Sequence, residues 1–97
     1  MDITILHVPD CPNLDVARVR VREALDGLDL TASVREIEVT SAAEAARLGM
    51  AGSPTVLVDG RDPFGGQTPS VACRLYRNGT SVDGAPSVAA LVEVLAS

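Results

Sequence analysis

Hydrophobic and polar residues follow two different spacings in the first third of the chain, and each spacing predicts one kind of element. Residues 3–8 are a short, mostly apolar and β-branched run, which predicts a strand buried on both faces. After Pro12, apolar residues recur at three- and four-residue steps, and charged residues occupy the other side. This pattern predicts an amphipathic helix of about 13–15 residues that ends near Gly27, with Asp10 or Asn13 as its cap.

The middle of the chain predicts a strand, a short helix and a second buried strand. Residues 31–39 predict a strand whose apolar members lie beside exposed glutamates. Ser41 and Glu44 form a capping box that begins an alanine-rich helix, and this helix stops at Gly49. Residues 55–58 are an apolar run that predicts the third strand.

The last third of the chain is rich in turn sequences. Asp59-Gly60 and Asn78-Gly79 both predict turns, and the Gly- and Pro-rich stretch 60–70 predicts a long loop. Residues 73–76 predict a short fourth strand. Ser87 is then expected to cap a final helix with an apolar stripe.

In chain order, these elements predict β-α-β-α-β-β-α. A β-α-β start requires a parallel pair of strands, and the last two strands are expected to form a hairpin-like pair. One four-stranded mixed sheet with helices on both faces accommodates all of them, which predicts an α/β fold. The length of 97 residues suits one domain, residues 1–97, and is too short for two cores.

Composition and charge narrow the function classes. Aromatic residues make up 2% of the chain, which excludes a stacking platform for single-stranded nucleic acid. The net charge of -5 and the lack of a basic run argue against binding to a phosphate backbone. No apolar run approaches the ~20 residues of a membrane span, and the N-terminus lacks signal-peptide features. We therefore expect a cytoplasmic protein without a membrane partner, whose two cysteines are reactive or buried rather than a structural disulfide.

Two local sequences resemble those of the thioredoxin and glutaredoxin superfamily. Cys11-Pro12 lies where the first strand gives way to the first helix. The sequence from Gly52 to Gly60 resembles the superfamily's cis-proline segment, which enters the third strand. The resemblance covers almost the whole chain and implies a thioredoxin-like fold, with a cis peptide bond at Pro54 facing Cys11.

The active-site tetrad departs from the superfamily's Cys-x-x-Cys. Here it is Cys11-Pro12-Asn13-Leu14, so the chain resembles a degenerate monothiol member in which leucine replaces the second thiol. The Cys-Gly-Phe-Ser motif of cluster-binding monothiol glutaredoxins is absent. Glutathione is a candidate co-substrate, and no bound cofactor or metal is expected. The segment from Gly52 to Tyr76 also resembles small bacterial thioredoxin-like proteins, some of which are grouped with organomercurial lyases.

Cys11 is the first candidate catalytic residue. Backbone N–H groups and the dipole at a helix N-terminus stabilise a thiolate, and the thiolate is the nucleophile in disulfide exchange. The alternative interpretation is a small buried residue at the end of a strand. The resemblance implies a substrate side formed by Pro12, Asn13, Ser53, Pro54 and Thr55.

The backbone beside Pro54 is the expected docking edge. A cis bond there would expose the N–H and C=O groups of Ser53 to an extended ligand, which could pair with them as a strand does. The alternative is a trans proline that begins an edge strand.

Cys73 follows Cys11 by 62 positions and is the second candidate thiol. In the simplest topology it begins the fourth strand, at the end of the sheet away from Cys11. This placement favours a buried structural cysteine over a thiol that resolves a mixed disulfide. Arg61 and Asp62 are expected to be solvated loop charges.

Three functions fit these residues. The first is a thiol–disulfide oxidoreductase in which Cys11 exchanges with a thiol or disulfide of a small molecule or a protein, and an external thiol or Cys73 completes the cycle. The second is a non-catalytic binding module that retains the scaffold, because one thiol cannot cycle alone. The third is capture of a soft metal such as mercury by the two thiols.

Overall fold

Three helices and seven short strands follow one another along the chain, all 97 residues of which are described by the computed structural model. The strands are β1 (Asp2–His7), β2 (Ser33–Glu38), β3 (Ala51–Ser53), β4 (Thr55–Val58), β5 (Ser70–Cys73), β6 (Tyr76–Asn78) and β7 (Ser81–Asp83). The helices are α1 (Leu14–Gly27), α2 (Ala42–Leu48) and α3 (Val88–Ala96).

A mixed three-stranded sheet in the order β2-β1-β4 forms the centre of the molecule. β1 runs parallel to β2 and antiparallel to β4, with Ile5 opposite Val56 and Leu6 opposite Thr55. The prediction of a buried central strand for residues 3–8 is therefore confirmed. Because β1 has a partner on each edge and a helix layer on each face, an uninterrupted apolar run suits it.

Helices cover both faces of this sheet, as the sequence predicts. Ile3, Ile5 and Val56 face α1 and α3 on one side, in a cluster of ten buried apolar residues. Leu6 and Leu57 face α2 on the other side, in a cluster of five. Side chains of alternating residues point to opposite faces of a strand, so β1 contributes to both clusters.

Two of the three helix starts follow their predicted caps. The Ser41 hydroxyl accepts a hydrogen bond from the Glu44 N–H at 3.1 Å, and the Glu44 carboxylate accepts from the N–H of Thr40 at 3.1 Å. The Ser87 hydroxyl accepts from the N–H of Ala90 at 3.0 Å. The two bonds to the serine hydroxyls each satisfy a donor that the helix itself leaves without a partner.

The predicted side-chain cap of α1 is wrong. Asn13 stands at the cap position but makes no side-chain capping bond, and Asp10 lies in the preceding turn with a φ of 56°. The Asn13 side chain instead packs against Gly84, where a Cβ atom would have no room. The first turn of α1 is therefore left without a side-chain cap.

The predicted fourth strand over residues 73–76 is also wrong, and the sheet has three strands rather than four. Cys73 ends β5, which pairs in parallel with β3, whereas Tyr76 begins β6. β6 pairs with β7 in a hairpin around the predicted turn at Asn78-Gly79. No strand therefore pairs with β4 on its outer edge.

Other groups occupy the edge of β4 where a fourth strand would pair. The Tyr76 hydroxyl donates to the Pro54 carbonyl at 2.6 Å. Val58 and Arg61 exchange backbone hydrogen bonds of 2.8 and 3.1 Å across the turn at Asp59-Gly60. These bonds occupy both ends of the edge, and the chain after residue 60 pairs with β3 instead.

Candidate functional site

The end of β1 and the start of α1 place Cys11 in a tight connection. β1 ends at His7, and the chain turns through Asp10 so that α1 begins at Leu14. The Cys11 carbonyl accepts from the Leu14 N–H at 3.3 Å, and its side chain is half-buried. The Cys11 thiol is therefore carried by the turn that leads directly into the uncapped end of α1.

A single hydrogen bond joins this connection to the proline segment. The Val8 N–H donates to the Ser53 hydroxyl at 3.0 Å, across 45 positions of sequence. The Ser53–Pro54 peptide bond is cis, as the resemblance implies, and Pro54 is fully buried. The connection that bears Cys11 and the proline segment therefore lie side by side at one end of the sheet.

Ser53 and Thr55 are occupied within the chain. Both are buried, with 1% and 0% of their surface exposed. The Thr55 hydroxyl donates to the Gly52 carbonyl at 2.6 Å and accepts from the Ala51 N–H at 3.1 Å. The Ser53 carbonyl accepts from the Arg74 N–H at 3.0 Å. The expectation that this carbonyl faces an extended ligand is therefore wrong, because β5 already pairs with this edge of β3.

Pro12 and Asn13 lie in the same connection as Cys11. Pro12 is exposed and Asn13 is half-buried against Gly84. Of the predicted substrate side, these two residues are therefore the ones whose side chains reach the surface.

The structure contradicts both predictions made for Cys73. It is exposed rather than buried, and its backbone pairs with Ser53 instead of lying at the far end of the sheet. The physical reason is that the chain after Asp59-Gly60 folds back toward β3, so that β5 ends beside the proline segment. Both cysteines are free thiols.

A buried ion pair holds the folded-back chain, and sequence reasoning missed it. Arg74 Nη1 lies 2.6 Å from Asp62 Oδ2, and the two side chains are only 10% and 8% exposed. Arg74 Nη1 also donates to the Thr55 hydroxyl at 3.3 Å, which ties the pair to the proline segment. The expected solvated charge at Asp62 is therefore wrong. Opposite charges at the two ends of a Gly- and Pro-rich loop were the only signal of this contact.

The two aromatic residues of the chain complete this cluster. The Phe64 and Tyr76 rings meet edge to face with centroids 5.5 Å apart, and the Arg74 guanidinium lies 4.5 Å from the Tyr76 ring centroid. Burial raises the pKa of the Tyr76 hydroxyl well above its usual range. This hydroxyl therefore stays protonated and donates to the Pro54 carbonyl. The bond stabilises the position of the proline segment.

Surface ion pairs connect α1 to the rest of the molecule. The Arg18 guanidinium bonds to both carboxylate oxygens of Glu36 on β2 and holds the pKa of that carboxyl below its usual range. Arg20 lies 2.8 Å from Asp83 and likewise lowers the pKa of the Asp83 carboxyl through their hydrogen bond. These two arginines therefore connect α1 to β2 and to β7.

Two further features of the molecule bear on candidate functions. No group of three or more His, Cys, Asp and Glu side chains is arranged to hold a metal ion. None of the helices combines the length and the apolar character needed to cross a membrane.

Comparisons with known proteins add no relative. No family model, curated protein or solved structure matches the chain.

Proposed function

We propose that the protein is a thiol-dependent redox protein with a thioredoxin-like fold, in which Cys11 exchanges with disulfides. The observation that carries the proposal is the 3.0 Å hydrogen bond from the Val8 N–H to the Ser53 hydroxyl. It joins the connection that bears Cys11 to the proline segment of β3 and β4. The order of the first five elements, with helices on both faces of a mixed sheet, supports the thioredoxin-like assignment.

The chemistry follows from the position of Cys11 before α1. The N–H groups of the first turn carry partial positive charge and have no side-chain cap, so they favour a thiolate nearby. This thiolate attacks one sulfur of a disulfide, the bond between the two sulfurs breaks, and the second sulfur leaves as a thiolate. The product is a mixed disulfide on Cys11.

A second thiol must then reduce this mixed disulfide, because Leu14 replaces the usual resolving cysteine. The second thiol attacks the mixed disulfide and releases one of its two sulfurs as a thiolate. An external low-molecular-weight thiol can supply this step. Cys73 is the internal candidate, since it is exposed and pairs with Ser53 in the strand beside the proline segment.

Single-cysteine variants test the proposal. The reduced protein is mixed with an aromatic disulfide whose released thiolate is coloured, and the rate of release is compared among wild type, Cys11→Ser and Cys73→Ser. We expect Cys11→Ser to lose at least tenfold in rate while Cys73→Ser keeps most of it. Equal rates in wild type and Cys11→Ser, with both folded by circular dichroism, would contradict the proposal.

A non-catalytic binding module is the second candidate function. The loss of the second thiol favours it, since the Leu14 side chain packs against the buried cluster and adds no redox chemistry. In that case Cys11→Ser should capture the same partners as wild type in a pull-down. Partner capture that requires the Cys11 thiol would instead support exchange.

A further inference from the structure

β5 has a strand partner on one edge only. The N–H groups of Ser70 and Arg74 donate to carbonyl groups in and directly before β3, at 3.0 Å each. These two residues are four apart, and backbone groups alternate between the two edges of a strand, so those of Val71 and Cys73 are directed away from β3. No strand pairs with this second edge. The backbone of Val71 and Cys73 is therefore open to a strand from another chain.

The side chains along this open edge are apolar and exposed. Val71 is 42% exposed, Leu75 is 72% exposed, and Cys73 between them is exposed as well. Side chains two residues apart lie on the same face of an extended chain, so these three form one row. α2 contacts β5 but leaves the row exposed. An apolar row thus lies beside backbone groups that lack a strand partner.

No free charge protects the open edge of β5. Arg74 is the one charged residue in the segment 70–75, and its guanidinium is buried against Asp62. Natural proteins commonly place charged side chains on an unpaired edge strand, which prevents pairing with another chain. β2 has that arrangement, since its outer edge is also unpaired and it carries Arg35, Glu36 and Glu38. The edge of β5 differs from it and suits a partner strand without free charge.

We infer that β5 pairs with β5 of a second copy of this chain, antiparallel and about a two-fold axis at Cys73. The inference does not depend on the proposed function. A strand that pairs with this edge should bring apolar side chains and no free charge, and the segment 70–75 of a second copy meets both conditions.

The two-fold pairing opposes only compatible side chains. The axis stands perpendicular to the sheet, so each face of β5 continues into the same face of the second copy, and one residue can lie opposite itself. With Cys73 at the axis, each Val71 lies opposite a Leu75 of the other copy. On the other face, Arg74 lies opposite the small side chain of Ala72. No like charges are therefore opposed in the paired strands.

The expected dimer dissociates on dilution. One short strand and one row of side chains bury less than the ~1,600 Å² of a standard interface. The net charge of -5 on each copy also repels the other copy. Sodium chloride screens this repulsion, so the association should become tighter as the salt concentration rises.

Sedimentation equilibrium tests the inference on protein kept reduced by a phosphine, so that no disulfide joins the copies. Over chain concentrations from about 1 to 500 µM, we expect the mass to rise from monomer to dimer. Val71→Lys places a charge against Leu75 of the second copy and should weaken dimerisation at least tenfold. Val34→Lys is the matched control, because Val34 is 44% exposed on β2, and it should dimerise as wild type does. Circular dichroism verifies that both variants are folded.

Alkylation of Cys73 locates the interface in the same samples. In Cys11→Ser, Cys73 is the only thiol, and its alkylation rate should fall as the dimer forms. Wild type that stays monomeric up to about 500 µM would overturn the inference. Equal dimerisation by Val71→Lys and wild type, loss of dimerisation in Val34→Lys, or an unchanged Cys73 rate in the dimer would overturn it as well, because the copies would then meet at another surface.

Discussion

Arg74 and Asp62 carry opposite charges where water hardly reaches either side chain. Their closest atoms are 2.6 Å apart, and Arg74 also contacts the Tyr76 ring and the Thr55 hydroxyl. Removing water from two charges is costly, and only a well-bonded partner offsets that cost. At the scale of single residues, this pair is therefore one of the contacts that hold the chain after residue 60 against the proline segment.

Replacing Asp62 with alanine should leave the Arg74 guanidinium buried without its partner. We expect the free energy of unfolding to fall by about 3–5 kcal/mol, measured by denaturant titration. The matched control is Arg47→Ala, because Arg47 lies 4.0 Å from Glu44 on an exposed part of α2 and should leave the midpoint unchanged. A loss below about 1 kcal/mol for Asp62→Ala, as for an exposed pair, would contradict the buried pair.

Tyr76 makes the free energy of unfolding depend on pH in the alkaline range. Its pKa is raised by burial above the ordinary value of 10.0, so the unfolded chain releases this proton before the folded one does. The stability that depends on the protonated hydroxyl is therefore fully present below about pH 10 and is lost as the pH rises toward the folded pKa. The chain has one tyrosine and its eight basic residues are all arginine, so few other groups titrate in this window.

Wild type and Tyr76→Phe are compared by urea unfolding between about pH 9 and 11, with phenolate absorbance recorded in parallel. Above pH 10, wild type should lose up to about 1.4 kcal/mol per pH unit, and Tyr76→Phe should lack this slope. The variant should also lose about 1 kcal/mol near neutral pH, since the Pro54 carbonyl then lacks its donor. The same alkaline slope in both proteins would show that Tyr76 does not control it.

At the scale of elements, β3 and β5 depend on a close approach of two backbones. Gly52 has a φ of +94°, and a Cβ atom there would lie 2.8 Å from the Arg74 Cβ and 3.3 Å from the Ala72 carbonyl oxygen. Gly60 also has a positive φ, of +83°, but has nothing within 4 Å of the same position. The two glycines therefore separate the cost of the backbone conformation from the cost of the clash.

Gly60→Ala should lose only the conformational cost of about 1–2 kcal/mol. Gly52→Ala should lose that amount and more, because the alanine methyl group forces β5 away from β3. Thermal and denaturant unfolding of both variants measures the difference. Equal losses of stability in the two variants would contradict the close contact between β3 and β5.

At the scale of the whole molecule, the sequence predicted the parts of the fold that local signals define. β1 was predicted by its apolar run, α2 by the capping box at Ser41, and the turn at Asn78-Gly79 by its own residues. The path of residues 60–74 could not be predicted, because it depends on a contact between Asp62 and Arg74 across a loop without periodicity. The prediction of a four-stranded sheet was wrong for the same reason, since it depended on the path of these residues.

The candidate site likewise has parts that local sequence predicts and parts that depend on tertiary contacts. Cys11 before α1 and the proline segment at Ser53–Pro54 follow from local sequence, and the structure brings these segments together through the Val8 hydrogen bond. The occupation of the β3 edge by β5 and the exposure of Cys73 depend on the folded-back loop, so no local pattern indicated them. The connection that bears Cys11 can therefore be predicted from local sequence, whereas the pairing of β5 along the edge of β3 depends on tertiary contacts.

The most direct test of the central claim is the alkylation rate of each cysteine at neutral pH, measured by mass spectrometry on the reduced protein. The same measurement in denaturant gives the unfolded reactivity of each thiol. If Cys11 is the nucleophile of the proposed exchange, it should be alkylated faster in the folded protein than in the unfolded one, although its side chain is half-buried. A folded rate equal to or below the unfolded rate would contradict an activated thiol and, with it, exchange at Cys11.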